Sequence, residues 1–244
     1  MSVLRLDKYL CDMQIGSRAE VKGLVKKKRI KVNEETVTKP ELKIDTDNDI
    51  IKFDDEVINY QEYEYFMLNK PQGVISATND KSDKTVIDLI KDAKRKDLFP
   101  VGRLDKDTEG LLLITNDGEL SHNLLSPKKH VDKTYFAKVK GHITDDEVLK
   151  FKNGLVVDET FTAKPARLHV LKFNDADNTT DIQITIHEGK FHQIKRMFEA
   201  VGSEVLYLKR LSMGTLLLDK NLIPGEYRKL SQEEINALKG VNND

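Results

Sequence analysis

A single cysteine, Cys11, stands in 244 residues. It excludes an intrachain disulfide and any zinc site built on several thiolates. Long apolar runs are missing as well. Nothing approaches the roughly 18 to 20 residues a membrane helix needs, and residues 1–8 (MSVLRLDK) lack the pattern of a secretory leader. A soluble, cytoplasmic chain is therefore expected. There is no Gly-rich phosphate loop and no dinucleotide fingerprint. No histidine pair has the helical i, i+4 spacing with a carboxylate that a zinc hydrolase uses. No metal and no nucleotide or redox cofactor is expected. What is present is ordinary in bulk, 39% apolar and 33% charged, in a chain long enough to bury a core without staples.

Charge is where the averages mislead. The whole chain carries −1, yet residues 1–31 hold nine bases against three acids, a local +6. Such asymmetry points to a small nucleic-acid-binding element on a larger body of other purpose. Leu4, Leu6, Leu10 and Met13 fall near one face of a short helix. Ser17 with Glu20 forms a capping box opening a second, whose apolar stripe is Val21, Leu24 and Val25. Lys22, Lys26 and Arg29 lie on its other side, a row of cations suited to regularly spaced phosphates. With the short strands that follow, residues 1–58 read as a small α+β unit.

Residues 59–64 are polar and aperiodic and read as a linker. Residues 65–244 read as one larger body. Strands are expected at 65–69, 111–115, 133–139, 166–171 and 182–186, the last a clean alternation of Ile182, Ile184 and Ile186. Capping boxes Thr144 with Glu147 and Ser231 with Glu234 open two helices. Phe191, Ile194, Met197, Phe198 and Val201 line a third. Strands from many parts of the chain with only occasional helices argue for an α+β fold with a mostly antiparallel mixed sheet.

The densest acids are in Gly102-Arg-Leu-Asp105-Lys-Asp107-Thr-Glu109-Gly110. A calcium loop fails, because its twelfth position is Asn116 and cannot give the bidentate carboxylate. A short carboxylate-bearing loop bracketed by glycines and running into a core strand can instead hold a nucleophile in place. His192, Gln193, Lys195 and Arg196 form the polar side of the third helix. Lys70-Pro-Gln-Gly73 and Lys133-Thr-Tyr135 are, taken alone, a turn and a strand start.

Together these fragments resemble the pseudouridine synthases of the ribosomal small-subunit branch, over nearly the whole chain. Arg5-Leu-Asp-Lys-Tyr-Leu, Ser17-Arg-Ala-Glu and Ile30-Lys-Val-Asn33 resemble an S4-type RNA-binding domain. Tyr65-Phe-Met-Leu-Asn-Lys-Pro-Gln-Gly73, Gly102-Arg-Leu-Asp105, Lys133-Thr-Tyr135 and Ile186-His-Glu-Gly-Lys-Phe-His-Gln-Ile-Lys-Arg-Met197 resemble the catalytic-domain motifs in the family's order. Ala163-Lys-Pro-Ala166 and Pro224-Gly-Glu-Tyr-Arg228 argue for the branch. The resemblance implies a cofactor-free isomerase with Asp105 as the catalytic group, Lys195 beside it, and Tyr135 stacking on the base. It implies RNA contacts from Arg5, Lys8, Arg18, Lys22, Lys26 and Lys27 in the first module, and from Lys70, Arg103, His192, Gln193 and Arg196 around the site. The implied partner is 16S rRNA, naked or as a small-subunit assembly intermediate, with uridine 516 the implied target; nothing in the sequence signals an oligomer, and a monomer is the default expectation. A 23S rRNA uridine and a non-catalytic assembly role are the alternatives. Asp107 and Glu109 make the loop more acidic than the chemistry needs, and Lys190 stands where an arginine is common.

Overall fold

The computed structural model describes residues 3–240. Residues 1–64 together with 92–98 form one unit, and residues 65–91 with 99–244 form a second. In the first, strand β1 (Val3–Arg5) runs directly into helix α1 (Leu6–Asp12), and helix α2 (Arg18–Lys26) follows. The Ser17 amide donates to Glu20 Oε2 at 2.7 Å and the Glu20 amide donates to Ser17 Oγ at 3.4 Å, so the expected capping box forms. Strands β2 (Ile30–Val32), β3 (Glu35–Thr36), β4 (Lys43–Asp45), β5 (Ile51–Phe53) and β6 (Glu56–Ile58) complete the unit. Four of them form a sheet in the order β3-β2-β5-β6, and β4 pairs with β1. Leu6, Leu10, Val21, Val25 and Ile30 are fully buried in one core, each worth about 1.5 to 3 kcal/mol of burial.

Residues 59–64 are not a loose linker. Tyr60 stacks on Tyr9 with ring centroids 4.9 Å apart. Glu64 is buried and its carboxylate accepts the amides of Lys94 and Arg95 at 2.7 and 2.8 Å. Polar composition suggested a tether, but a buried carboxylate that answers two backbone donors is a structural element.

The second unit contains β7 (Tyr65–Lys70), β8 (Phe99–Pro100), β9 (Glu109–Thr115), α3 (Gly118–Leu125), β10 (Lys133–Lys140) and α4 (Asp145–Asn153). After the hairpin β11 (Leu155–Asp158) and β12 (Phe161–Ala163) come β13 (Arg167–Asn174), β14 (Thr179–Ile186), α5 (Gln193–Ala200), β15 (Val205–Met213), β16 (Leu216–Leu217), β17 (Tyr227–Lys229) and α6 (Gln232–Gly240). The main sheet runs β13-β14-β10-β15-β9-β7-β17, with β16 beside β15 and β8 beside β9. It is antiparallel except where β15 meets β9, a parallel contact of two register pairs, Lys209 with Glu109 and Arg210 with Gly110. β7 is buried at every position, while β10 alternates, burying Lys133, Tyr135, Ala137 and Val139. Met197 and Phe198 of α5 are fully buried, and Phe198 packs on Phe151 of α4 at 4.9 Å.

Two local expectations change. Phe191 does not join the apolar face of α5; it precedes the helix, is 75% exposed and stacks on His192. Strand β15, at the middle of the sheet, was not expected, because its buried face carries Arg210 and Ser212 among the aliphatics. Among the described residues no helix is long and apolar enough to cross a membrane.

Candidate active site

Asp105 lies in the loop between β8 and β9, and that loop is held through its backbone. Ser76 Oγ donates to the Leu104 carbonyl at 2.8 Å and accepts the Leu104 amide at 3.0 Å. The Gly73 amide donates to the Lys106 carbonyl at 2.8 Å. Lys70, fully buried at the end of β7, donates from Nζ to the carbonyls of Pro71, Asp105 and Thr108 at 3.0, 3.0 and 2.9 Å. Burial pushes this ammonium down to about 8, against the opposing pull of Asp107, Asp105 and Glu109.

The carboxylate of Asp105 faces the start of α5. Lys195 Nζ is 3.4 Å from Oδ2 and His192 Nε2 is 3.6 Å from Oδ1. His192 caps α5 in the left-handed region, φ 49°, which aims its ring back toward the loop. Lys195 also reaches Asp107, at 2.7 and 2.8 Å from its two oxygens. Burial alone would lower Lys195, but the combined charges of Asp107 and Asp105 outweigh it and raise the ammonium above its ordinary value. Burial likewise pushes Asp107 up, and its bonds to Lys195 outweigh that and hold it below the usual carboxylate range. A carboxylate on a pinned loop, flanked by an ammonium and an imidazole, can act as nucleophile or as base.

Tyr135 comes from β10, directly across from Arg210 on β15 and Ile184 on β14, and is buried. Two residues away on the same face, Lys133 is pushed down to about 8, first by burial and then by Arg210. Among the described residues no group of three or more His, Cys, Asp or Glu side chains is placed to hold a metal ion.

Residues 64–200 match the RNA pseudouridylate synthase family, and residues 4–51 match the S4 domain. The chain belongs to the RNA pseudouridine synthase family. This synthase is 47% identical over 236 residues to an uncharacterized RNA pseudouridine synthase of Bacillus subtilis, covering 96% of this chain and 98% of the relative. It is 41% identical over 238 residues to the ribosomal large subunit pseudouridine synthase B of the same organism, with 97% and 96% covered. It is 37% identical over 236 residues to the ribosomal small subunit pseudouridine synthase A of Escherichia coli, with 96% and 100% covered.

Several side chains offered to RNA by the sequence have other work in the synthase. Lys70 is fully buried and serves the loop, so it is not an RNA contact. Gln193 is buried too; its Nε2 donates to Glu188 at 2.8 Å and its Oε1 accepts the Lys190 amide at 3.0 Å, which ties the turn before α5. Arg196 turns from the Asp105 cluster to Asp158 and lies over the Phe161 ring. Arg5 pairs with Asp7 and Lys8 with Asp12, leaving both partly exposed. Arg18, Lys22, Lys26, Lys27 and Arg103 are exposed, and His192 sits half-exposed beside Asp105.

Sequence reasoning missed Ser76 and the true duty of Lys70. The available signal for the latter was a lysine closing an otherwise apolar strand. Lys70→Met keeps the volume but leaves the loop carbonyls without their donor, and is expected to slow turnover roughly 100-fold through misplacement of Asp105. Its ammonium is held below the ordinary 10.5 in the folded chain. Between about 8 and 10.5 the unfolded chain therefore binds the extra proton, and stability from this group rises with pH across that window. Denaturation of the parent and Lys70→Met across the window checks this: the parent's rise should be shallower in the variant.

Proposed function

We propose that this synthase converts a uridine of 16S rRNA, uridine 516 in the usual rRNA numbering, to pseudouridine with Asp105 as the catalytic carboxylate. The observation that carries the chemistry is the Asp105 carboxylate, fixed by its backbone and flanked by Lys195 and His192. The N1–C1′ bond breaks, the base turns, C5–C1′ forms, the C5 hydrogen leaves to solvent as a proton, and N1 takes up a proton in exchange. Lys195 pairs with Asp105 and orients it, and Tyr135 stacks on the base. The uridine must leave its stack to reach them, at a cost of a few kcal/mol offset by RNA contacts elsewhere. The setting is the cytoplasm, with a monomer acting on the RNA.

The 16S assignment is supported by the motif resemblance at 65–73, 163–166 and 224–228 and by the full-length match to the E. coli small-subunit enzyme. A 23S uridine is the second reading, favoured by the higher identity to the B. subtilis large-subunit enzyme, 41% against 37%. Tritium release from 5-tritiated uridine in full-length 16S and 23S transcripts, and in 16S assembled with small-subunit proteins, decides between them. Release from 16S material alone is expected; release from 23S alone overturns the substrate, and silence from all three overturns the function.

The exposed row on α2 is the proposed docking element. Lys22→Gln with Lys26→Gln should weaken RNA binding and flatten its log–log salt dependence by about 1.8 in total, at roughly 0.9 per phosphate contact. An unchanged slope removes α2 from the interface.

A further inference from the structure

Asp107 takes the larger share of Lys195. An ammonium has three N–H groups. Two point at the oxygens of Asp107 at 2.7 and 2.8 Å, the length of charge-assisted bonds, while Asp105 Oδ2 stands off at 3.4 Å. The side chain of Lys195 is itself largely buried, whereas that of Asp107 is 68% exposed. The neighbouring charges of the loop are engaged elsewhere. Glu109 accepts the Tyr207 hydroxyl at 2.6 Å, and Lys106 pairs with Asp83 at 2.7 Å. An exposed carboxylate has no need of a buried ammonium for its own solvation, so the pairing acts on the lysine.

We infer that Asp107 is a positioning residue: by chelating Lys195 it keeps that cation beside Asp105 without letting it close on the carboxylate. Asp105 thereby keeps both oxygens available to the substrate. This rests on the proposed catalytic role of Asp105. The charged groups around Asp105 are Lys195 of α5, His192 just before that helix, Lys70 at the end of β7, and Asp107 of the same loop. Without the Asp107 charge, Lys195 moves onto Asp105, and the tightly paired carboxylate becomes a weaker base and nucleophile. The same change removes a negative charge from a surface that must approach a polyanion. Rate and RNA affinity therefore move in opposite directions.

The test compares Asp107→Asn, Asp107→Glu and Asp105→Ala in the full chain, by single-turnover tritium release and by RNA binding. Asp107→Asn should slow the step about tenfold and bind RNA about twofold more tightly. Asp107→Glu, which keeps the charge, should recover most of the rate. If Asp105→Ala is inactive while Asp107→Asn shows the parent rate, or Asp107→Glu loses as much rate as Asp107→Asn, or rate and RNA affinity fall together, this inference alone is overturned. An active Asp105→Ala overturns the catalytic reading and takes this inference with it.

Discussion

Asp105→Ala is expected to lower tritium release from uridine-labelled rRNA by at least about a thousandfold while leaving RNA affinity within a few-fold of the parent. The magnitude follows from removing a group that acts directly on the reacting atoms. The loop should survive the change, because Lys70, Ser76 and Gly73 hold its backbone and none of them uses the Asp105 carboxylate. Asp107 is a poor substitute, since both its oxygens are bound to Lys195. Single-turnover rates with a parallel binding titration separate the two effects. Activity within about tenfold of the parent would show that the carboxylate is not the catalytic group.

Gly110→Ala should be the most destabilising small substitution near the site. Gly110 has φ +101°, and an added Cβ would lie 2.2 Å from the Arg210 carbonyl oxygen and 2.7 Å from its nitrogen. Both are backbone atoms, so no side chain can swing aside. The contact is also half of the two-pair parallel join between β9 and β15, which links strands β13, β14, β10 and β15 to β9, β7 and β17. Strain at a positive φ together with parting of that join is expected to cost on the order of 4 kcal/mol. A loss of that size would bring a two-state domain of ordinary stability close to unfolding. Chemical denaturation, followed by circular dichroism, checks it; a midpoint equal to the parent's would mean that the strands can part there freely.

Elements with strong local signals were legible. The capping boxes at Ser17 and Ser231 form as their spacing demands, and the alternation of Ile182, Ile184 and Ile186 is a buried strand face. The architecture, an S4-type module and a mostly antiparallel mixed sheet, followed from those signals and from the motif order. The meeting of Lys195 with the Asp105 loop was expected from the motif resemblance, but its sharing with Asp107 was not, since the resemblance gives Asp107 no partner and 88 residues separate the two in the chain. β15 escaped because a buried arginine and serine break an apolar alternation, and tertiary context overrode pattern there. Gln193 and Lys70 were misread for the opposite reason. A polar side chain looks solvent-bound in a sequence, and only the fold shows that backbone groups within reach have claimed it.

The return of residues 92–98 to the first unit bears on how this protein can be taken apart. Arg95 is buried there with Nη1 3.1 Å from Asp12 and Nη2 2.7 Å from Asp97. A chain cut between 64 and 65 would strip the S4-type fragment of that arginine and of the Lys94 and Arg95 amides that the Glu64 carboxylate accepts. The other fragment would carry seven residues that belong to the first unit. Separating the two halves cleanly requires excising 92–98 from one piece and restoring it to the other, by ligation or as a peptide in trans.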